Sequence, residues 1–464
     1  FWLKVALGWM ASIGDLFTSL GTEPPVLDPR FAEVKERVRP APGVVEAAWR
    51  RLETALSHEV AEIKARGSSI IPSVDYSEIA GNGGEFPDAV AEAVRRRGCV
   101  VVRNVLSEAT ALSMKAQTKE YIAKNQELLS GFPKDNPQVW EVYWSKPQGE
   151  MRMNPAVLQT QTALNRLWHC RAGYDGQVPV DVHRPLTYGE RLRIRAAGDT
   201  SFTLGPHIDG GSVERWEDDE YRRVYEKILT GEWENYDAWD ATHRAEARCD
   251  LYRLGVGLCS IFRSFQGWLS LSRSGHGRGA LMVVPLVRET TAFLMLRPFL
   301  DDVPESSFCG ANPGKTQDLL PKFHAAVIEG LVPIPDVGPG DTVWWHCDLI
   351  HAVEGSNGSV EDSSVFYIPA VPLCVKNAEY AAQQADHFVL GKTPPDFPQN
   401  HSEVHCVDRC SVRDLNEAGL VAHALGPLPE SAADGQSEEH LRSCAVLHER
   451  CRHIFSHVKT GDEK

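Results

Sequence analysis

No two of the 11 cysteines are spaced Cys-x-x-Cys, and their number is odd. Scattered single thiols of this kind fit a reducing, cytoplasmic setting better than a disulfide framework. No apolar run reaches the ~20 residues that a bilayer-crossing helix needs. Phe1 to Met10 is apolar apart from Lys4 and is too short to span; it reads either as a frayed leader or as the remnant of a targeting segment. Positive charge is in deficit, with 48 Lys and Arg against 63 Asp and Glu, a formal −15. That balance argues against a nucleic-acid or anionic-membrane partner, because both demand clustered cations. A Gly-x-Gly-x-x-Gly turn, a P-loop and a Gly-x-Ser-x-Gly elbow are all missing, and with them the usual signatures of nucleotide cradling and serine hydrolysis. There is no internal repeat.

What the chain does have is an ordinary globular balance, 42% hydrophobic and 24% charged over 464 residues, enough for a large core. Its first part reads as helical. Asp28-Pro29 opens a short helix, and Val45, Trp49, Leu52, Leu56, Val60 and Ile63 line one face of a longer one that Gly67 closes. Cys99 to Arg103 is a β-branched strand, after which Ser107 caps a long helix; Asn154 to His169 is helical again.

After Tyr188 the pattern turns to strands: 191–195, 258–263, 268–272, 280–285, 342–345 and 365–369, with glycine-rich turns between. A polar segment rich in Trp and Tyr, 214–250, interrupts them as a helical insertion, either a lid or a packed structural layer. Residues 430–442 are polar and acidic enough for partial disorder. The fold class that results is mainly β with an α buttress (α+β). It has a double-stranded β-helix, or jelly-roll, core at about 188–375 and helical support at 28–170. The whole reads as a leader (1–27), a single domain (28–428) and an acidic, polar tail (429–464).

Two stretches carry the chemistry, Gly205-Pro206-His207-Ile208-Asp209-Gly210-Gly211 and Gly340 through His351. On a strand, residues two apart share a face, so His207 and Asp209 can grip one ion. His346 and Asp348 form a second such pair, but His351 lies an odd number of residues from them and would face away. Joining His351 to His207 and Asp209 removes that conflict. Two imidazoles and a carboxylate leave open positions on a non-haem Fe(II), where O2 and a second molecule can bind. By spacing alone the set reads either as this iron site or as structural histidines beside a turn-capping aspartate. Trp168-His169 reads as helix-face packing. His401, His405, Cys406 and Cys410 have zinc-ligand residue types without the spacing of a common zinc module.

Gly98–Ser107, Gly279-Ala280-Leu281-Met282-Val283-Val284-Pro285 and Gly340–His351 resemble strands of the phytanoyl-CoA-hydroxylase-like Fe(II)/2-oxoglutarate dioxygenases. Gly205–Trp216, Phe265-Gln266-Gly267-Trp268-Leu269-Ser270, Trp344–His351 and Tyr367-Ile368-Pro369-Ala370 resemble the YbiU-like family of unknown function, DUF1479, along residues 28–428. The resemblance implies His207, Asp209 and His351 as ligands of Fe(II), with 2-oxoglutarate and O2 as cosubstrates and a small molecule as the substrate to be hydroxylated.

One departure bears on the cosubstrate. Those dioxygenases carry an arginine about ten residues past the distal histidine, for the far carboxylate of 2-oxoglutarate. Here Val360-Glu361-Asp362-Ser363-Ser364 stands there instead. Serine cannot replace a bidentate guanidinium fork. Arg193 and Arg195 lie on the strand before the iron motif, and Arg195 and Arg263 are expected to take the role. Two other functions stay open: a non-catalytic jelly-roll protein that binds metal or ligand, and an iron oxygenase that does not use 2-oxoglutarate.

Overall fold

A computed structural model of the chain describes residues 27–200, 203–252, 259–399 and 402–458. All of the expected leader but residue 27 lies outside these, as do Leu258 and His401. In chain order the strands are β1 (Ser73–Asp75), β2 (Cys99–Arg103), β3 (Gly131–Phe132), β4 (Val139–Trp140) and β5 (Val180–Leu186). β6 (Leu192–Arg195), β7 (Leu204–Ile208), β8 (Phe265–Ser270), β9 (Leu281–Val283) and β10 (Gln317–Asp318) follow. The last are β11 (Val332–Pro333), β12 (Thr342–His346), β13 (His351–Val353), β14 (Ser363–Tyr367) and β15 (Val371–Cys374).

The architecture is mixed α and β, with large open sheets and no closed barrel among the described residues. One sheet of eight strands runs β1-β2-β12-β8-β14-β6-β4-β3, a second of five runs β10-β7-β13-β9-β11, and β15 pairs with β5 apart from both. Pairing in the central ladders is antiparallel. Arg193, Trp268 and Trp345 from the larger sheet line one cavity together with Leu204, Leu281 and Val353 from the smaller, so the two sheets enclose it.

The expected helices form where the periodicity put them. Arg30–Val38 and Val44–Arg66 bury Phe31 and Val34, then Ala48, Leu52, Leu56 and Ile63. Trp49 packs its ring 4.7 Å from Phe293 of the helix Val287–Leu296. Ser107 caps Glu108–Lys124 by accepting from the Thr110 amide. Arg96 and Arg97 pair with Glu59 and Glu62 of the neighbouring helix, a packing role. At the centre of the larger sheet, Trp344 lies over Gly267, its register partner, and a Cβ on Gly267 would stand 2.3 Å from the indole. Only glycine leaves room for that ring.

One expectation is corrected here and one open alternative is decided. The strand at 258–263 does not form over the described residues Cys259–Arg263. Backbone donors there serve side chains rather than a ladder, the Ser260 amide reaching Asp396 and the Phe262 amide Asn377. The insertion is a packed layer: Trp216 and Tyr225 are fully buried, and Trp233, Tyr236 and Trp239 nearly so. At the end of the stretch 430–442, Ser437 caps the helix Glu438–Ser443, which leads into Ala445–Phe455.

Candidate metal centre

β7 and β13 pair antiparallel with His207 directly opposite His351. Facing residues on adjacent strands share one side of the sheet, and the two imidazoles stand with ring centres 4.2 Å apart. Asp209 follows one residue beyond the end of β7, where Gly210 and Gly211 turn the chain at φ 77° and 87°. A side chain on Gly211 would press on Cys249 at 3.2 Å. The turn brings the Asp209 carboxylate to 3.8 Å from His207 Nε2 and 3.5 Å from His351 Nε2. Two bonds of roughly 2.0–2.2 Å to one ion span those gaps.

The tautomers are set by the backbone. His207 Nδ1 donates to the Gly205 carbonyl at 2.6 Å and His351 Nδ1 to that of Leu349 at 3.0 Å. Both Nε2 lone pairs are thereby left facing the carboxylate, the arrangement that a metal requires of imidazole. Burial and the neighbouring His351 push His207 down to about 4, so it is neutral at pH 7. Burial works to raise the Asp209 carboxyl. The close contact with His351, the proximity of His207 and the charge of Arg263 outweigh it and hold the group well below the usual carboxylate range. Gln266 Nε2 also donates to Asp209 at 2.6 Å, while its buried Oε1 has no partner among the described residues. In the sequence Gln266 is marked only by its place in the Phe265–Ser270 motif, two residues from Trp268 and so on the same face of the strand.

The three residues open into a cavity of about 140 Å3. Its walls carry Arg193, Arg263, Trp268, Trp345 and Tyr367. Arg195 is not among them. It is fully buried elsewhere, with Nε on Asp199 at 2.9 Å and Nη1 on the Glu354 carbonyl at 2.8 Å. The structure thus brings Arg263 to the triad and holds Arg195 away from it.

Arg193, which the sequence did not single out over Arg195, is the notable cation. It is 4% exposed, its Nε has no partner, and Nη2 makes only a long 3.5 Å contact to Ser363 on β14. Among the described residues no carboxylate pairs with it, and burial lowers its pKa. A buried guanidinium left this way is expensive unless an anion joins it.

The other pairs find plainer roles. His346 stacks on Trp168 at 4.7 Å, accepts from the Asp348 amide and donates to the Ala238 carbonyl. Asp348 meets Arg215 and Arg244 of the insertion, and Arg215 also holds the Asp209 carbonyl at 3.0 Å. His169 lies half exposed beside Asp237. Of the zinc-type residues, Cys406 lies by Tyr121, whereas Cys410 packs near Gly149.

A family model described as Gig2-like matches residues 25–425. The protein YbiU of Escherichia coli K12 is 36% identical over 409 residues, 85% of this chain and 95% of its own length. The crystal structure of GlcNAc Inducible Gene 2 (DUF1479) from Candida albicans superposes with a TM-score of 0.81 at 30% identity, covering 95% of this chain and 98% of that one. A crystal structure from Salmonella typhimurium LT2, whose name provisionally makes it an oxidoreductase, gives 0.79 at 35% identity over 88% of this chain and 100% of that one.

Proposed function

The chain belongs to the Gig2-like (DUF1479) family, and from that premise we propose that it is an Fe(II)/2-oxoglutarate-dependent dioxygenase that hydroxylates a small molecule. The carrying observation is the convergence of His207, Asp209 and His351 on one cavity wall, with both Nε2 atoms turned to the carboxylate. Two imidazoles and a carboxylate are the donor set of a non-haem Fe(II) with open positions. Strand order supports a jelly-roll core. From β6 to β9 the chain passes between the ladders β6-β14-β8-β12 and β7-β13-β9-β11 at each step, and it does so again from β11 to β14. The oxygenase domain in this reading is 28–428.

His207, Asp209 and His351 would hold the iron, which when bound supplies O2 activation. Gln266 orients Asp209. Arg193 is the anchor for the far carboxylate of 2-oxoglutarate, since it is a buried cation on the cavity wall that lacks a carboxylate partner among the described residues. Arg263, whose charge lies near Asp209, stands on the same wall and can serve the near end or the substrate. Leu204, Leu281, Val353, Trp268 and Trp345 make much of the lining apolar and exclude bulk water from the reacting end. A cytoplasmic location fits the 11 unpaired cysteines.

Anaerobic titration with Fe(II) tests the site. At matched concentration the parent protein should bind one equivalent more than Asp209→Ala with its fold intact by circular dichroism. Equal binding by both would overturn the reading.

A further inference from the structure

A second cluster of ligand-type side chains lies outside the cavity and partly beyond the residues that the family model matches. His440, Cys444 and His448 recur every four residues, so they share one face of the consecutive helices Glu438–Ser443 and Ala445–Phe455. They meet Asp181 and His183, two apart on β5.

Asp181 is fully buried, and its two oxygens are used differently. Oδ2 accepts from His448 Nε2 at 2.8 Å and Gln436 Nε2 at 3.0 Å, with Arg184 Nε at 3.2 Å. Oδ1 accepts the His183 amide at 2.9 Å but faces His440 Nε2 at 3.6 Å and His183 Nδ1 at 3.5 Å. Cys444 Sγ stands 3.5 Å from the same His440 Nε2. The buried Nδ1 of His183 has no hydrogen-bond partner among the described residues.

These separations decide between two readings. A directed hydrogen bond between such nitrogen and oxygen atoms is about 2.7–3.2 Å long. Ligands bound at roughly 2.0–2.3 Å to one tetrahedral ion stand about 3.3–3.6 Å apart. The nitrogen–oxygen pairs Asp181–His440 and Asp181–His183 fall at the second spacing, and the 3.5 Å between Cys444 Sγ and His440 Nε2 suits a shared ion as well as a thiol–imidazole hydrogen bond. The oxygen turned away from them is held by donors, as a metal-binding carboxylate ordinarily is.

We propose that Asp181 Oδ1, His440 Nε2 and Cys444 Sγ form a Zn2+-type site that clasps the C-terminal helix pair to β5. Mixed imidazole, thiolate and carboxylate donors select zinc over the hard cations. His440, 28% exposed, leaves the site an entry path.

Cobalt is the probe, because the cavity triad contains no thiolate. Co2+ added to the full-length His207→Ala protein should bind as one equivalent, give a thiolate-to-cobalt charge-transfer band and be displaced by Zn2+. Cys444→Ser should lose the band while keeping its fold by circular dichroism. His440→Gln, a change at a partly exposed side chain, is the second variant and should weaken Co2+ binding at least tenfold. No band in the His207→Ala protein, or a band that survives Cys444→Ser, would overturn the site.

Discussion

Arg193 on β6 reaches toward Ser363 on β14, with Nη2 3.5 Å from the hydroxyl. β6 and β14 are paired, Val365 opposite Arg193 and Ser363 opposite Arg195. The cation missing past the distal histidine is thus present on the adjacent strand, at the cavity wall. Replacing Arg193 by Ala should weaken 2-oxoglutarate binding by about 30–100-fold, the loss of a charge-assisted pair. Fe(II) affinity should be unchanged and Lys should recover part of the loss. Quenching of the cavity tryptophans Trp268 and Trp345 gives the readout; unchanged affinity in Arg193→Ala would remove the anchor from Arg193.

In the proposed site Gln266 would act on the metal through Asp209, to which it donates at 2.6 Å. Gln266→Ala should lower Fe(II) affinity by about 10–100-fold, the usual effect of removing a hydrogen bond to a ligating carboxylate. Competition with a coloured chelator measures it. Affinity within twofold of the parent would show that the turn at Gly210 and Gly211 suffices to orient Asp209.

Gly267, on the cavity lining, is a packing constraint. A methyl there meets the Trp344 indole at 2.3 Å and the Val343 carbonyl at 2.8 Å. Gly267→Ala should cost about 1–3 kcal/mol by overpacking, read from urea denaturation. A midpoint equal to the parent's would mean that the sheet relaxes around it.

Asp396 gives the stability a pH component. Burial raises its carboxyl from 3.8 to about 6, against hydrogen bonds from Ser260 and Tyr188 and the charge of Arg263. The folded chain therefore holds this proton more tightly than the unfolded chain. The stabilisation is complete below pH 3.8 and is lost as pH rises through about 6; the loss is at most about 3 kcal/mol. Both hydrogen bonds fall on Oδ2, so Asp396→Asn keeps an acceptor there and should lack this component. Denaturation from pH 4 to 7 tests it, and an identical pH slope in the variant would contradict it.

Much of the frame was legible because it rests on local rules. The apolar stripe of 44–66, the Ser107 cap and the shared face of His207 and Asp209 follow from periodicity alone. Parity even directed His351 to its distant partner, and β7 and β13 do bring them into register. What failed needed tertiary distances. Alternation puts Arg191, Arg193 and Arg195 on one face, but not how far along the strand the cavity lies; Arg195 stands past it, beside Asp199. The strand β5, with His183, Arg184 and Pro185 at its centre, looks too polar to pair until β15 and the C-terminal helices cover it. Acidic composition hid the ordered helices after 437, although His440, Cys444 and His448 repeat at helical spacing.

The proposed reaction requires a cosubstrate held at iron between the two sheets. The direct measurement is an anaerobic 2-oxoglutarate titration of the Fe(II)-loaded protein, followed by the visible metal-to-ligand charge-transfer band. A saturable band that is absent in His207→Ala and needs far more 2-oxoglutarate in Arg193→Ala is the predicted result. Iron bound at one equivalent with no band at any concentration would contradict it.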